Sequence, residues 1–290
     1  MATLRPFFET VQSIYDHDHT TRWLKLFLDP TMLYSSAYYE SDDIGLEDAQ
    51  VAKLDLSLGK CDLHAGQTLL EIGCGWGACS YRAASKFGVN VIALTLSESQ
   101  QAYCREQMAT LPAGSGTVDV RLQGWEQFNE PVDRIISIAA FEHFGRDRHP
   151  AFFNRCRELL PQDGRLMLHT IAALNFGDMR KKGLEITAEF VQFIKFLYKE
   201  IFPGGFLRRQ PDIVCLAEDA EFEVQHTESL QPHYARTLDV WATNLAANRD
   251  AAIEMRSAEE FDRYMKYLTG CADYFRSGHI DIYQFTCIPK

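Results

Sequence analysis

The chain has 290 residues, of which 46% are hydrophobic and 24% are charged, and its formal net charge at pH 7 is −11. This length and composition are typical of a globular protein with a sizeable buried core. The acidic charge argues against nucleic-acid binding, and no long apolar run or secretory signal is present, so we expect a cytoplasmic protein, with peripheral membrane contact left open.

The predicted elements begin with a helical region over residues 1–60, which we expect to form a cap before the main fold. Its clearest helix is the amphipathic stretch AQVAKLDLSLGKCDL, which ends at Gly59 and Lys60. Strand patterns then alternate with helix patterns over residues 61–174. The strands are QTLLEIG, VNVIALTLS, VDVRLQG, DRIISIAAF and GRLMLHTIA, and the helices are SYRAASKFG, ESQQAYCREQMATL and FFNRCRELL. This alternation predicts a doubly wound α/β fold with a mostly parallel sheet and helices on both faces.

The alternation stops at Asn175. VQFIKFLYKEIFPGG predicts one long helix with an apolar face, and we interpret residues 175–210 as a helical insertion that covers the site. Strand and helix patterns resume over residues 211–290 with FEVQHTESL and TLDVWATNLAANRDAAIEM. The last pattern, DIYQFTCIP, predicts a final strand at the edge of the sheet. We therefore predict a single domain over residues 1–290.

The stretch LEIGCGWGAC places three glycines within five positions at the end of the first core strand. A P-loop would continue with Lys and then Ser or Thr, which this loop lacks, and its GxGxG spacing differs from the dinucleotide pattern GxGxxG. Without a phosphate to bind, the loop can face the amino-acid end of S-adenosylmethionine. The carboxylate of Glu71, just before the first glycine, would suit its ammonium group. A tight turn without a ligand is the alternative.

Two further segments are placed to hold an adenosine. Nucleotide-binding enzymes usually carry a carboxylate for the ribose at the end of the second strand, where this chain has Thr95 and Gln100 instead. In GWEQF, Trp125 is available to pack on adenine and Glu126 to accept a hydrogen bond from its exocyclic amine. A Trp after a strand is a core residue as often as a ligand contact, so both interpretations stay open.

Other chemistry-bearing residues predict no separate site. The eight cysteines form no CxxC pair, and we expect free structural thiols. His17, Asp18 and His19 are metal-ligand types, but no further ligand is spaced to complete a metal site. The basic clusters Arg180–Lys182 and Arg208–Arg209 are interpreted as solvated surface.

Several segments occur in one collinear order from about Phe7 to the C-terminus. They are LFLDPTMLYSSAYYE, LLEIGCGWGACSYRAASKFGVNVIALTLSESQ, QGWEQFNEPVDRIISIAAFEHFG, LMLHTI, EIFPGG, LQPHYARTL and MKYLTGCADYFRSGHIDIYQFT. Together they resemble the cyclopropane mycolic acid synthase and mycolic acid methyltransferase family. The resemblance implies a seven-stranded class I S-adenosylmethionine-dependent methyltransferase fold. It also implies methyl transfer to a double bond or an oxygen of a long fatty acyl chain, presented in that family on an acyl carrier protein.

The resemblance also implies the site residues. The positions that match the family's cofactor-binding set are Tyr34, Ser35, Gly73, Gly75, Thr95, Gln100, Trp125 and Glu126. Those that match its bicarbonate-binding pocket are Glu142, His169, Tyr234 and the main chain of Ile138, with Tyr15 beside Glu142. If the segment is helical at Glu142, the adjacent His143 would point away from the pocket, and we interpret it as structural. The insertion is implied to shape the acyl channel.

This chemistry would need a dry, orienting pocket, because an alkene is a weak nucleophile that must lie in line with the sulfonium methyl. Methyl transfer leaves a carbocation, and loss of a proton from the new methyl closes a cyclopropane ring. Bicarbonate held in the pocket would be the base. If water captures the cation instead, the product is a methyl-bearing alcohol.

Two departures from the family leave the product open. Ser36 stands where the family usually has Cys, and the stretch YDHDHTTRWLKLFLDP is more polar than usual. A main-chain contact at Ser36 would be nearly neutral, whereas a side-chain contact would favour water. The alternatives to a cyclopropane synthase are therefore an enzyme that forms a methyl-branched or hydroxymethyl acyl product, and a C- or O-methyltransferase of another lipid or polyketide. A cofactor-binding protein that has lost catalysis is the alternative from another class.

Overall fold

The structure is a computed structural model that describes residues 4–16 and 19–290. Its seven strands are β1 (Thr68–Ile72), β2 (Asn90–Thr95), β3 (Val118–Leu122), β4 (Arg134–Ile138), β5 (Arg165–Ala173), β6 (Phe222–Ser229) and β7 (Ile280–Pro289). They form one sheet in the order β3-β2-β1-β4-β5-β7-β6. The first five strands pair in parallel, and β7 is antiparallel to both of its neighbours. The predicted doubly wound, mostly parallel sheet is confirmed.

The helices of the described residues surround this sheet. They are α1 (Phe8–Tyr15), α2 (Thr20–Leu24), α3 (Leu46–Gly59), α4 (Ala78–Phe87), α5 (Glu98–Met108), α6 (His149–Leu159), α7 (Phe176–Lys181), α8 (Ala188–Phe196), α9 (Gln210–Asp219), α10 (Gln231–Ala247), α11 (Arg249–Met255) and α12 (Ala258–Arg276). Every strand and helix predicted between residues 61 and 174 is present at its predicted place. None of the described helices is long and apolar enough to cross a membrane.

Local chemistry explains where the helices next to the site begin and end. The side chain of Ser97 accepts a hydrogen bond from the main-chain N–H of Gln100 and so caps the start of α5. Gly88 follows α4 with φ +66°, the left-handed conformation that commonly ends a helix. Both helices therefore pack beside β2 with well-defined termini.

The N-terminal segment is tied to α5 by one carboxylate. Asp16 accepts hydrogen bonds from the main-chain N–H groups of Glu98 at 3.0 Å and Ser99 at 3.2 Å. The hydroxyl of Ser99 also donates to the carbonyl of Tyr15 at 3.1 Å. Because these N–H groups lie in the first turn of α5, they would otherwise lack a helical partner. The contact holds the end of α1 against the edge of the cofactor-binding half of the sheet.

The final strand is not at the edge of the sheet, so that prediction is wrong. β7 lies between β5 and β6, and β6 is the edge strand, with mostly exposed or partly exposed side chains. The polar residues of DIYQFTCIP suggested a solvated edge. Instead, Gln284 is fully buried and hydrogen-bonded inside the protein.

Two predicted long helices are interrupted. The stretch VQFIKFLYKEIFPGG forms the end of α8, followed by a π-helical turn over Leu197–Ile201. The pattern TLDVWATNLAANRDAAIEM is divided into α10 and α11 at Asn248, whose side chain donates a hydrogen bond to the carbonyl of Leu26 at 2.8 Å. The interruption in the first stretch matters for function, because Leu197 and Tyr198 line one of the two cavities described below.

Candidate active site

A first cavity opens beyond the carboxyl ends of β1, β2 and β4, where the strand order of the sheet reverses. This is where open α/β sheets bind their ligands. All nine residues that the sequence proposed for the cofactor line it: Tyr34, Ser35, Glu71, Gly73, Gly75, Thr95, Gln100, Trp125 and Glu126. The structure therefore brings this whole set together at one place.

The glycines after β1 allow the loop to approach its neighbours closely. Gly73, Gly75 and Gly77 all have positive φ, at +82°, +54° and +87°. A Cβ on Gly73 would lie 2.4 Å from the Cβ of Ala140, so a larger residue cannot occupy this position without a shift of the chain. A Cβ on Gly75 would meet no atom within 4 Å, because this part of the loop faces open space.

The part of the cavity formed by Trp125 and Glu126 has one carboxylate oxygen without a partner among the described protein atoms. Glu126 Oε1 accepts a hydrogen bond from Arg148 Nη1 at 3.0 Å, whereas Oε2 is buried with no hydrogen-bond partner among the described protein atoms. The indole of Trp125 is fixed by an edge contact with Phe152, with 5.6 Å between ring centroids. An aromatic wall beside an unpaired acceptor suits an adenine with its exocyclic amine.

Thr95 and Gln100 are joined at the end of β2. The hydroxyl of Thr95 donates to Gln100 Oε1 at 2.8 Å, and both side chains are buried. This bond turns the amide oxygen of Gln100 toward Thr95, which leaves the N–H donors of the amide for another partner. Thr95 and Gln100 are therefore a pair of neutral polar side chains at the strand end where nucleotide-binding enzymes usually have a carboxylate for the ribose.

Two buried ionisable groups lie elsewhere around the cavity: Glu71 lines it, and Lys53 contacts the lining residue Ser35 from behind. Glu71 accepts a hydrogen bond from the hydroxyl of Ser80, and burial raises its pKa to about 7. Lys53, which the sequence analysis did not single out, is fully buried and donates to the hydroxyl of Ser35 at 2.9 Å. Burial lowers the pKa of Lys53 to about 8. The sequence contained one indication that Lys53 is buried: it lies four residues after Ala49, on the same buried face of α3.

A second cavity adjoins the first and shares four lining residues with it: Tyr15, Tyr34, Ala139 and His143. Its walls are mostly apolar and aromatic side chains from residues 194–207, α10 and α12. They are Ile194, Leu197, Tyr198, Phe202, Phe206, Leu207, Leu238, Tyr267, Cys271 and Phe275. The predicted residues Glu142 and Tyr234 also line it. The two cavities therefore meet beside Glu142.

The expectation that His143 points away from the site is wrong. Residues Phe141–His143 form a short 3-10 turn rather than an α-helix, and His143 lines both cavities. Burial lowers its pKa to about 4, so its ring is neutral at pH 7. Just before this turn, Ala139 has φ +53°, a conformation that is uncommon for a residue with a side chain. A strained backbone of this kind is often found where chemistry is performed.

Glu142 has one satisfied and one unsatisfied carboxylate oxygen. The main-chain N–H of Ile171 donates to Oε1 at 2.6 Å, whereas Oε2 is buried without a partner among the described protein atoms. Burial raises the pKa of the carboxyl to about 6. The neighbouring phenol of Tyr234 is also buried, which raises its pKa, so it remains protonated.

His169 lies on β5 and is fully buried, outside the lining of either cavity. His169 is the register partner of Ile138 on the neighbouring strand β4, and Ile138 lines the first cavity. Lys60 donates to Gln284 Oε1 at 2.5 Å, which orients the amide so that Gln284 Nε2 donates to His169 Nδ1 at 3.1 Å. Nδ1 is therefore the acceptor, and the ring proton is on Nε2. Burial lowers the pKa of His169 well below its usual value, so the ring is neutral.

These groups fit a bicarbonate ion. His169 Nε2–H is a buried donor and Glu142 Oε2 a buried acceptor, and neither has a partner among the described protein atoms. Glu142 binds the main chain of Ile171, two residues along β5 from His169, so both groups lie beside the same short segment of β5. Bicarbonate both donates and accepts hydrogen bonds, as this pair of atoms requires.

Ser36 is placed differently from the groups around it. It is fully buried, its hydroxyl donates to the carbonyl of Ala37 at 2.9 Å, and it lines neither cavity. Among residues 4–16 and 19–290 no group of three or more His, Cys, Asp or Glu side chains is placed to hold a metal ion. His17 and Asp18 lie outside the described residues.

Comparison with known proteins gives a consistent result. The family model "Mycolic acid cyclopropane synthetase" matches residues 3–285. Cyclopropane mycolic acid synthase 1 of Mycobacterium tuberculosis (strain ATCC 25618 / H37Rv) is 50% identical over 284 residues, which is 98% of each chain. Cyclopropane mycolic acid synthase 3 of the same strain is 52% identical over 283 residues, again 98% of each chain. The S-adenosylmethionine-dependent methyltransferase UmaA of this strain is 50% identical over 286 residues, or 99% of each chain.

Solved structures agree with this result. The mycolic acid cyclopropane synthase CmaA1, in complex with SAH and CTAB, has a TM-score of 0.94 at 50% identity and covers 98% of this chain and 99% of its own. A coclaurine N-methyltransferase bound to SAH shares only the fold, with a TM-score of 0.78 at 24% identity, over 97% of this chain and 82% of its own. The chain therefore belongs to the mycolic acid cyclopropane synthetase family, within the S-adenosylmethionine-dependent methyltransferases.

Proposed function

We propose that the protein transfers a methyl group from S-adenosylmethionine to a double bond of a long-chain, mycolic-type acyl substrate, and that bicarbonate is the base that closes a cyclopropane ring. The observation that carries this proposal is the meeting of the two cavities beside Glu142. The name of the family and of its half-identical relatives supports the choice of substrate.

The first cavity would hold the cofactor, which supplies an electrophilic methyl group when bound. Trp125 and Glu126 would bind the adenine, and Thr95 and Gln100 the ribose. The carboxyl of Glu71 is suited to the ammonium group because its pKa of about 7 allows it to ionise next to a cation. The glycine loop, with Tyr34 and Ser35, would complete the contacts to the amino-acid end.

The second cavity would hold the alkene. Its apolar and aromatic walls exclude water and hold a flexible chain in one path, so that the double bond faces the first cavity. Orientation of this kind supplies on the order of 7 kcal/mol or more of the barrier to a bimolecular reaction. Residues 175–210 would cover the acyl site as an insertion into the core formed by residues 61–174 and 211–290, behind the cap formed by residues 1–60.

Two side chains would hold the base, and two phenols would face the cation. His169 would donate from Nε2 to an oxygen of the base, and Glu142 would accept from its hydroxyl, which leaves the remaining oxygen directed at the substrate. Tyr15 and Tyr234 stay protonated because burial raises the pKa of both phenols, and their rings present electron-rich faces to a nearby cation. The main chain of Ile138 and Ser36 would close the pocket.

The geometry at Ser36 bears on the product. Because the hydroxyl already donates to the carbonyl of Ala37, a contact with the base would come from the main chain, and replacing the family's Cys by Ser would change little. This favours ring closure over capture by water. A methyl-branched or hydroxymethyl product is the second candidate.

The test is to incubate the protein with methyl-labelled S-adenosylmethionine and a cis-unsaturated long-chain acyl substrate, free and on an acyl carrier protein, in degassed buffer with and without added bicarbonate. We expect the mass to rise by one methylene without oxygen, in a bicarbonate-dependent reaction, and nuclear magnetic resonance to show ring protons. A gain of methyl and hydroxyl would indicate water capture. Absence of transfer to every acyl substrate would contradict the proposal.

We further propose a cytoplasmic location and presentation of the chain by a carrier protein.

A further inference from the structure

Two arginine side chains share one aromatic ring beside the second cavity. The guanidinium carbons of Arg146 and Arg208 lie 5.3 Å and 5.5 Å from the centre of the Phe206 ring. Phe206 itself lines the second cavity. Arg146 is exposed and Arg208 is partly buried, so two positive charges stand together at the surface next to an apolar cavity.

The main chain around these residues is held in place by the active-site segment. The N–H of Phe206 donates to the carbonyl of Glu142 at 2.9 Å, and the carbonyl of Arg208 accepts from Ala173 at 2.9 Å, at the end of β5. A shift of Phe206 would therefore be felt at Glu142. The position of the two arginines is fixed relative to the chemistry.

The side chain of Arg208 is also fixed. It donates from Nη2 to the carbonyl of Arg146 at 2.6 Å and from Nε to His149 Nδ1 at 2.9 Å. His149 is a neutral partner, because burial lowers its pKa to about 4. Arg208 is thus oriented by two acceptors that do not compensate its charge.

Neither guanidinium has a counterion. Within the described part of the chain, no carboxylate oxygen lies within 4.0 Å of a nitrogen of Arg146 or Arg208. The adjacent Arg209 differs, since it binds Asp212 at 2.5 Å and Asp178 at 3.2 Å. Burial and the like charge of Arg146 lower the pKa of Arg208, whereas the carboxylates of Asp212 and Asp147, which form no ion pair with it, raise that pKa, so the positive charge is only partly compensated. The basic cluster Arg208–Arg209, which we interpreted as solvated surface, therefore contains two different residues: Arg209 forms ion pairs, and Arg208 does not.

The pair lies near the opening of the second cavity. Tyr198 is the most exposed of the residues that line this cavity, with 37% of its surface accessible. It lies against the main chain of Leu207, the residue between Phe206 and Arg208. A ligand whose apolar part fills the cavity would therefore place its polar end beside the two arginines.

We propose that Arg146 and Arg208 bind a phosphate group carried by the acyl substrate at the mouth of the second cavity. This inference rests on the proposed function, because it places an acyl chain in that cavity. Guanidinium groups are suited to phosphate oxygens, to which they donate two parallel hydrogen bonds, and the shared ring of Phe206 keeps both in position. A phosphate ester occurs both in a phospholipid head group and in a phosphopantetheine arm, so the chemistry is common to two sources.

The experiment compares KM and kcat for three oleoyl substrates with the wild type, Arg146→Gln and Arg208→Gln. Oleoyl phosphopantetheine and dioleoyl phosphatidylglycerol in mixed micelles carry a phosphate, and methyl oleate does not. Both variants are expected to raise KM for the phosphate-bearing source that the enzyme uses by about tenfold or more, with kcat little changed, because each loses charge-assisted hydrogen bonds. KM for methyl oleate is expected to stay the same. Arg146→Gln is the primary variant, since Arg208 also holds His149.

Arg249→Gln is the matched control. Arg249 is also exposed, and its guanidinium carbon lies 5.5 Å from the centre of a phenylalanine ring, but that ring, Phe261, lines neither cavity, whereas Phe206 lines the second. Three outcomes would overturn the inference. They are an unchanged KM for both phosphate-bearing substrates in the two variants, an equal rise of KM for methyl oleate, and an equal rise of KM in Arg249→Gln. The phosphate-bearing substrate that is selectively affected identifies the source.

A binding measurement separates this inference from the proposed function, because it needs no turnover. The protein is loaded with S-adenosylhomocysteine and titrated calorimetrically with oleoyl phosphopantetheine and with the phosphatidylglycerol micelles. Weaker binding in Arg146→Gln without any methyl transfer would support the phosphate site and contradict the proposed function. Methyl transfer together with an unchanged affinity of Arg146→Gln for both ligands would support the proposed function and contradict the phosphate site.

Discussion

Glu142 and His169 each have one buried polar atom that no protein group satisfies, and the two atoms have opposite character. At the scale of single residues this is what gives the site its chemistry. An unsatisfied buried donor or acceptor costs about 1–3 kcal/mol of stability. In the proposed function, a bicarbonate ion that can both donate and accept would bind these two atoms and so offset this cost.

Glu142→Gln is expected to lower kcat by about 100-fold or more, which is the contribution typical of a group that handles a proton, and to leave S-adenosylhomocysteine binding unchanged. The variant should also be more stable than the wild type at neutral pH. The pKa of Glu142 is raised from 4.5 to about 6, so the unfolded state ionises first and the buried charge disfavours folding above pH 6. The gain is about 2 kcal/mol.

Urea unfolding of the wild type and Glu142→Gln checks this stability difference. It should be fully present well above pH 6 and vanish below pH 4.5, where the carboxyl is neutral in both states. A difference that is independent of pH would show that ionisation of the Glu142 carboxyl is not the source of the effect.

Gln284→Leu is expected to raise the KM for bicarbonate, because the amide no longer keeps the ring proton of His169 on Nε2. Cofactor affinity should not change, since Gln284 lies outside the lining of the first cavity. Steady-state kinetics in degassed buffer with graded bicarbonate measure the first effect, and calorimetry the second. Thr286→Val is the control: Thr286 is also buried on β7, and its hydroxyl has no partner among the described atoms. An equal effect of both variants on the bicarbonate KM would contradict the positioning role of Gln284.

Single-residue placement was only partly predictable from the sequence. Five of the nine residues proposed for the cofactor lie at the ends of β1 and β2, so strand order alone places them together: Glu71, Gly73, Gly75, Thr95 and Gln100. Gln284 was missed, because its role arises from contacts with Lys60 and His169 that lie on other elements. His143 was misplaced, since a 3-10 turn and an α-helix of the same length direct adjacent side chains differently.

At the scale of elements, the turn from β1 into α4 combines two functions in three glycines. Gly73 lets the chain pass close to the residues that follow β4, whereas Gly75 faces open space in the first cavity. The first function is structural and the second leaves room for a ligand. The spacing GxGxG could not distinguish them, because both need a positive φ.

Gly75→Ala is expected to weaken S-adenosylmethionine binding by about tenfold or more, since a methyl group would occupy space in the cavity, at a stability cost of about 1 kcal/mol for the left-handed backbone. Gly66→Ala is the matched control, with φ +86°, no atom within 4 Å of its Cβ and no place in the cavity lining. Calorimetric titration and urea unfolding of both variants test the prediction. If both lose cofactor affinity equally, the effect comes from stability rather than from the cavity.

Element order was the most predictable level, and its failure at β7 has a physical cause. Alternating polarity marked DIYQFTCIP as a strand, but periodicity cannot tell a solvated polar side chain from one that is buried and hydrogen-bonded. Gln284 is of the second kind, so the strand lies inside the sheet and β6 takes the edge.

At the scale of the whole molecule, the two cavities share the walls formed by Tyr15, Tyr34, Ala139 and His143. A ligand that orders these residues from one side prepares them for a ligand on the other. The α/β alternation predicted where the first cavity lies. The second depends on how residues 194–207 pack against α10 and α12, which no local pattern of sequence specifies.

Binding at the two cavities is therefore expected to be coupled. S-adenosylhomocysteine should raise the affinity for a non-reactive saturated acyl ligand by about fivefold or more, and the acyl ligand should raise the affinity for S-adenosylhomocysteine by the same factor. Calorimetric titrations in both orders measure the two factors. Affinities that do not depend on the other ligand would show that the shared walls are already rigid.

The carboxylate of Asp16 has a consequence for the rate of turnover. It ties the end of α1 to the first turn of α5, while Phe7, Val11 and Tyr15 of the same segment line the first cavity. Release of a spent nucleoside past this segment would require the contact with α5 to open in each cycle. The pace of the catalytic cycle would then depend on how often a few hydrogen bonds at the surface come apart, and a faster enzyme would be obtained by loosening its N-terminus rather than by altering the groups that perform the chemistry.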